Sequence, residues 1–383
     1  MDDATRPAVS LSSSGDIAAA LPHLIGFHPH ESVLVVGLGG PSGGRLGLTV
    51  RADLPERAHA PAVAALLARS LATDEPDGAV VAVVSEIGDE RDAPACPPAD
   101  AGGTTLPHRA VVHDLVVALA GYGIPVRETL LVRRGRWWSY DCPGPCCAPD
   151  EGTPLPEGVT ELAVASVAAG MVVAPDRAAL ERRIAPVEGP ARAAMAAAVE
   201  RVGARHGRAR RADPDAEARR SWNAVVRALR RCRPGAAESG RLGDRDVARV
   251  LWALADVRVR DRALTLALGD DAAAAETLWT ECTRRAPAPL GAAPATLLAV
   301  SAWLRGDGAM ANVALERALA DRPSYSFARL LMQGLAACLP PAELRALITT
   351  AAEEPDEVWA GGAEPDHCVG RDAAAPTRRP PPG

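Results

Sequence analysis

The sequence contains no lysine: all 42 of its basic residues are arginine. That absence excludes three chemistries in their usual form. A P-loop needs a lysine on the nucleotide phosphates, a protein kinase needs its strand lysine, and a pyridoxal-phosphate enzyme needs a lysine for the Schiff base. Aromatic residues are scarce too, at 3%. The core must therefore be built from Ala, Val and Leu, whose small side chains let helices pack closely. The His-Glu-x-x-His metalloprotease signature does not occur, nor does the Cys-x-x-Cys spacing of thiol redox enzymes. The longest uncharged apolar run, 162–175, is too short for a helix to cross a hydrocarbon layer of roughly 30 Å. The start, Met1-Asp2-Asp3-Ala4-Thr5-Arg6, is acidic and lacks the apolar stretch of a signal peptide. These features predict a cytoplasmic protein with reduced cysteines and no membrane segment.

What is present is the balance of a folded chain: 383 residues, 48% apolar and 23% charged. That is enough for two cores. Arginine in place of lysine, with abundant Ala, Gly and Pro, points to a GC-rich coding genome. The formal charge of −6 argues against wholesale nucleic-acid binding.

The first half predicts an α/β arrangement. Asp16–Leu24 reads as a helix with Ser13 or Ser14 as its cap. Ser32–Leu38 is a buried strand, Arg45–Leu54 a second, and Ala79–Ser85 a third. Pro61–Thr73 and His108–Tyr122 are helices, and 87–107 reads as a mobile loop. Glu128–Arg133 and Arg136–Tyr140 form a hairpin turned at Arg134-Gly135. The expectation is a sheet of about five strands with covering helices over 11–158, then an all-helical domain over 159–352, whose helices include Thr160–Val172, Pro190–His206, Ala272–Arg285 and Gly308–Asp321. The tail, 353–383, is acidic and then Pro/Arg-rich, a disordered composition.

Within the helical domain, a pair of segments superimposes at a spacing of 36 residues. Asp270, Ala275, Trp279, Cys282 and Pro287 match Gly306, Ala311, Leu315, Ala318 and Pro323. This resembles the tetratricopeptide repeat, whose period is about 34 residues. The resemblance implies a groove for a peptide or protein partner; packing against the α/β half is the alternative.

Several motifs in order resemble an actinomycete family known only as a domain of unknown function. They are 22–32 (Pro-His-Leu-Ile-Gly-Phe-His-Pro-His-Glu-Ser), 51–55 (Arg-Ala-Asp-Leu-Pro) and Trp138-Ser139-Tyr140-Asp141-Cys142 with Cys146-Cys147 and Gly152-Thr153-Pro154. Val259-Arg260-Asp261 and Ala302-Trp303-Leu304 with Gly306-Asp307 complete the set. The resemblance implies a bacterial, intracellular protein and carries over no catalytic residue.

Two places carry candidate chemistry. Cys142, Cys146 and Cys147 put three sulfurs within six residues, and thiolates bind zinc strongly. Against a self-contained site, adjacent cysteines tend to point apart, and a fourth ligand must come from elsewhere. Cys96, His28, His30, His108 and His113 qualify by residue type alone. A reactive thiol and a buried structural turn are the other readings. Arg51 and Asp53, two apart near the end of a strand, share a face and could hold an anionic ligand or simply pair with each other. Gly37-Leu38-Gly39-Gly40 mimics a dinucleotide fingerprint, but a strand follows where a helix is needed, so it reads as a hairpin turn. The stretch 177–233 holds fifteen arginines and fewer than half as many acidic residues. Trp222 is its single aromatic for base stacking, and a solvated helical face is expected.

The leading expectation is a binding or scaffold protein that recognises a protein or peptide through its helical half. The alternative is an enzyme or small-ligand sensor at the sheet edge, near Arg51, Asp53, Trp138 and Asp141, with zinc an open candidate at the cysteines.

Overall fold

A computed structural model describes residues 13–39, 46–87, 106–156, 158, 172–235 and 242–353. Six strands form one mixed sheet: β1 (Ser32–Leu38), β2 (Leu46–Asp53), β3 (Gly78–Val84), β4 (Val126–Arg133), β5 (Arg136–Ser139) and β6 (Thr153–Pro154), in the order β2-β1-β3-β4-β5-β6. Only β3 and β4 are parallel. A parallel pair needs a crossover, which α3 (Arg109–Ala120) supplies. The sixth strand, two residues long, carries too little pattern to be predicted. The Gly-rich segment joins antiparallel β1 and β2, as a hairpin requires. Residues 40–45, the loop 88–105 and the tail 354–383 lie outside the described residues.

Alternation along the strands divides the side chains between two faces. Val33, Val35, Val81, Val83, Leu131 and Trp138 pack beneath α3 and α2 (Ala60–Ala72). Leu34, Val36, Val80, Ala82 and Leu130 pack beneath α1 (Ser14–Ile25). β1 and β3 are central and covered on both faces, so they are continuous apolar runs. Ser13 caps α1 by accepting the amide of Asp16 at 3.2 Å.

The C-terminal half is helical: α4 (Arg177–Arg183), α5 (Gly189–Ala212), α6 (Pro214–Cys232), α7 (Asp244–Ala253), α8 (Val257–Leu264), α9 (Ala272–Arg285), α10 (Ala292–Leu304), α11 (Gly308–Asp321), α12 (Ser326–Ala336) and α13 (Pro341–Glu353). The helix expected over 160–172 falls almost wholly on residues outside those described. In α10 every residue from Pro294 to Leu304 is buried, the mark of a central helix. Its two hydroxyls are satisfied locally: Thr296 donates to the Ala292 carbonyl at 2.7 Å and Ser301 to Leu297 at 3.1 Å. Helices α9 and α11 start 36 residues apart and are equally long, and Ala275, Trp279, Cys282, Ala311, Leu315 and Ala318 all lie in one core. The two matched segments are thus helices of equal length packed in the same core.

The helical core reaches back to the sheet. Phe27 is buried in it, and its neighbours pair with Ala174: the His28 amide donates to the Ala174 carbonyl at 3.0 Å, and the Ala174 amide to Gly26 at 2.9 Å. Cys338, after α12, packs against the cluster under α2.

Candidate functional site

The cysteine loop hangs from the hairpin of β4 and β5. Arg134 and Gly135 both adopt positive φ (49° and 70°), which suits a two-residue hairpin turn between right-twisted strands. Pairing then sets Trp138 opposite Leu131 and Trp137 opposite Val132. Consecutive tryptophans therefore face opposite layers, Trp138 toward α3 and Trp137 toward α1.

Beyond β5 the chain is tied down residue by residue. The Tyr140 amide donates to the Thr129 carbonyl at 3.0 Å, and its hydroxyl donates to the Pro107 carbonyl at 2.7 Å. Arg109 donates to the Tyr140 carbonyl at 3.1 Å and lies 5.7 Å from the ring centroid. Asp141 accepts the buried Thr129 hydroxyl at 2.7 Å. Closing the loop, Trp138 Nε1 donates to the Ala148 carbonyl at 3.0 Å, and Arg136 donates to the carbonyls of Glu151 and Gly152 at 2.9 and 2.8 Å. Gly152 sits at φ +62°, directly against the Trp138 indole.

Within this frame Pro145–Cys147 forms a single 3₁₀ turn. A 3₁₀ turn rotates successive side chains by about 120°, where an extended chain would oppose them. The expectation that the adjacent cysteines point apart fails for that reason. The sulfurs of Cys142, Cys146 and Cys147 all lie within 4.8 Å of one another, and Cys142 Sγ is 3.8 Å from Cys146 Sγ. Backbone amides point at two of them: Gly144 donates to Cys142 Sγ at 3.4 Å and Ser139 to Cys147 Sγ at 3.3 Å. The Gly144 amide, with help from the other two thiols, holds the Cys142 thiol below its ordinary range. Burial pushes Cys147 up to about 11. The backbone amide and the burial thus shift two neighbouring thiols in opposite directions.

No other His, Cys, Asp or Glu among the described residues shares that group. Cys96 lies outside them, His113 is exposed on α3, and His28 and His30 are exposed where the chain enters β1. His108 directs Nε2 to Ser85 Oγ (3.0 Å) and the Ile87 carbonyl (3.3 Å).

Arg51 and Asp53 lie on the edge strand β2, separated from the cysteine loop by β1, β3 and β4. At about 4.8 Å per strand spacing, roughly 19 Å separates β2 from β5. The sheet does not bring the two groups together. Arg51 directs Nε and Nη2 to the buried Ser32 hydroxyl (3.0 and 2.7 Å), pairs with Asp53 at 2.6 Å, and lies 5.7 Å from the Phe27 ring centroid. Of the arginines in 177–233, Arg177, Arg182, Arg220, Arg231 and Arg233 are engaged in ion pairs.

Sequence reasoning missed one polar cluster. Glu31, at φ 38°, accepts the Ser85 hydroxyl at 2.7 Å and the amides of Glu86 and Ile87 at 2.7 and 3.3 Å. Ser85 also meets His108, itself at φ 61°. The available signal was a serine ending an apolar strand opposite a glutamate that precedes one.

A family model for a domain of unknown function, DUF4192, matches residues 15–342. The chain belongs to the DUF4192 family. The match runs through the sheet, the cysteine loop and the helices up to the start of α13, so a DUF4192 domain comprises both halves of the fold. No curated protein and no solved structure matches the chain. Among the described residues, no helix is long and apolar enough to cross a membrane.

Proposed function

We propose that the protein is a binding or scaffold protein that recognises a peptide or protein through its helical half. The observation that carries this reading is an exposed leucine on each of the last two described helices. Leu330 on α12 and Leu347 on α13 are 63% and 61% exposed. Each lines a shallow open groove. One, of about 510 Å³, is formed by Arg260, Ser326, Phe327, Arg329, Leu330 and Gln333; the other, of about 410 Å³, by Glu343, Ala346, Leu347, Thr350 and Ala351. An exposed leucine beside a concave surface gives an incoming side chain an apolar contact to bury. In the first groove Arg260 is held over the Phe327 ring at 4.8 Å, and Arg329 and Leu330 line it beside them. Such a surface suits a segment that pairs an apolar side chain with an acidic one.

The likeness of the two matched hairpins to tetratricopeptide repeats supports the same reading. The resemblance of the sequence motifs to an actinomycete family supports a bacterial cytoplasmic setting, where thiols stay reduced. The test is cross-linking with mass spectrometry on the intact protein in native extract, beside the double variant Leu330→Glu/Leu347→Glu. Loss of specific cross-links at α12 and α13, with unchanged thermal unfolding, is the expected result. Identical partners for both proteins, or none at this face, would sink the proposal.

A further inference from the structure

We propose that Cys142, Cys146 and Cys147 form a three-thiolate site for a thiophilic d¹⁰ cation, either Zn²⁺ with its fourth position open to an exogenous ligand or three-coordinate Cu⁺. The argument starts from distance. A zinc–thiolate bond is about 2.3 Å, so two thiolates at a tetrahedral angle lie about 3.8 Å apart, and in a trigonal plane about 4.0 Å apart. Cys142 Sγ and Cys146 Sγ are 3.8 Å apart, and the third sulfur completes a triangle within 4.8 Å. A disulfide would need about 2.05 Å, and all three cysteines are free.

The second argument is the direction of the backbone. The amides of Gly144 and Ser139 donate to Cys142 Sγ and Cys147 Sγ. An amide aimed at sulfur orients it and supports the negative charge that a metal-bound sulfur keeps, as outer-shell hydrogen bonds to metal ligands do. The third argument is rigidity. The triangle is held by the 3₁₀ turn, the Trp138–Ala148 hydrogen bond and the Tyr140 anchors, before any ion arrives. A ligand set whose side chains are already fixed loses little entropy on binding. Three sulfurs, with no further His, Cys, Asp or Glu among the described residues in the group, leave a coordination position for water, a thiol or a small anion.

Binding exchanges thiol protons for the metal: each coordinated thiol releases its proton to solvent, and no electron moves. The test uses the intact chain, reduced and stripped with a chelator. Co²⁺ is titrated as a spectroscopic stand-in for zinc, and Cu⁺ is titrated separately under anaerobic reduction. One equivalent of ion, a thiolate-to-cobalt charge-transfer band, and protection of the peptide containing Cys142, Cys146 and Cys147 from alkylation are expected in at least one arm. Cys146→Ser removes an exposed ligand with no packing cost, so folding is retained while affinity falls by more than the roughly 10–100-fold typical of outer-shell losses. No uptake in either arm, uptake unchanged in Cys146→Ser, or a Cys142–Cys146 disulfide without metal uptake would overturn the proposal.

Discussion

Gly152→Ala tests the frame that assembles the thiols. At φ +62° a non-glycine residue enters the left-handed region, which costs about 1–2 kcal/mol. The added Cβ also has nowhere to go: it would fall inside the van der Waals envelope of Trp138 Cε2 and Cζ2 and lie 3.0 Å from Cη2. Trp138 is only 5% exposed, packed in the sheet cluster and tethered to Ala148, so it cannot retreat freely. Overpacking of this kind costs about 1–3 kcal/mol. Together the two effects give about 2–5 kcal/mol, read as loss of stability in denaturant unfolding and as faster alkylation of buried Cys147. A double-mutant cycle separates them. In a Trp138→Leu background the steric cost disappears and Gly152→Ala should cost only the backbone strain, about 1–2 kcal/mol, a coupling of about 1–3 kcal/mol. A single-variant cost below about 0.5 kcal/mol, or the same cost in both backgrounds, would refute the reasoning.

Three further tests address the rest of the fold. Asp256→Asn keeps an acceptor for the cap of α8 but removes the charge and one of the two oxygens that hold Arg258, where the carboxylate accepts the Arg258 amide at 3.1 Å and the Arg258 guanidinium at 3.1 and 2.9 Å; about 1–3 kcal/mol should be lost in chemical denaturation. Burial raises the Asp256 pKa, but the Arg258 hydrogen bonds and charge outweigh it and hold the group below the ordinary carboxylate range. Its stabilisation is therefore full above pH of about 4 and lost as pH falls through the lower folded value, a step missing from the acid-unfolding profile of the Asn variant. Trp279→Ala, at 1% exposure in the helical core, should cost about 3–5 kcal/mol in the same assay, and a cost under about 1 would contradict the packing described. Arg51→Met removes both donors to the buried Ser32 oxygen while its hydroxyl still donates to the His30 carbonyl at 2.6 Å, so about 0.5–1.5 kcal/mol should be lost, whereas an exposed ligand-holding arginine would change stability by under about 0.5.

How far the fold is legible depends on which physics sets each element. Ser32–Leu38, Ala272–Arg285 and Gly308–Asp321 have the bounds their patterns predict, because apolar period and end residues agree there. Helix α5 runs to Ala212, past the predicted stop at His206. Glycine costs about 1 kcal/mol in a helix interior, yet His206 is buried against Glu217 of α6 (2.8 Å) and stacked on Trp252 of α7, so tertiary packing carries the helix through Gly207. Arg51 and Asp53 are legible as a same-face pair, and the structure pairs them at 2.6 Å. Their distance from the cysteine loop is not legible, since it depends on strand order, and periodicity says nothing of order.

The cysteine loop shows the same limit at shorter range. Spacing alone makes Cys-x₃-Cys-Cys a poor metal knuckle, because spacing arguments assume a conformation for the intervening residues. Here Pro145 fixes φ at the first position of the 3₁₀ turn, where its missing amide costs nothing. Gly144 leaves room for two sulfurs that lie 3.3 and 3.4 Å from where its Cβ would be. Trp138 then sets the far end of the loop at Ala148 and Gly152, well along the chain from the strand that carries it. Each of these residues is visible in the sequence, but their joint effect is a closure condition that acts through the sheet. The Trp138–Ala148 bond closes the loop around its three sulfurs, and the pairing of β5 with β6 at Trp137 and Thr153 returns the chain to the sheet just beyond it. That two-residue strand, too short for any pattern to predict, is the part of the closure that the sequence does not show.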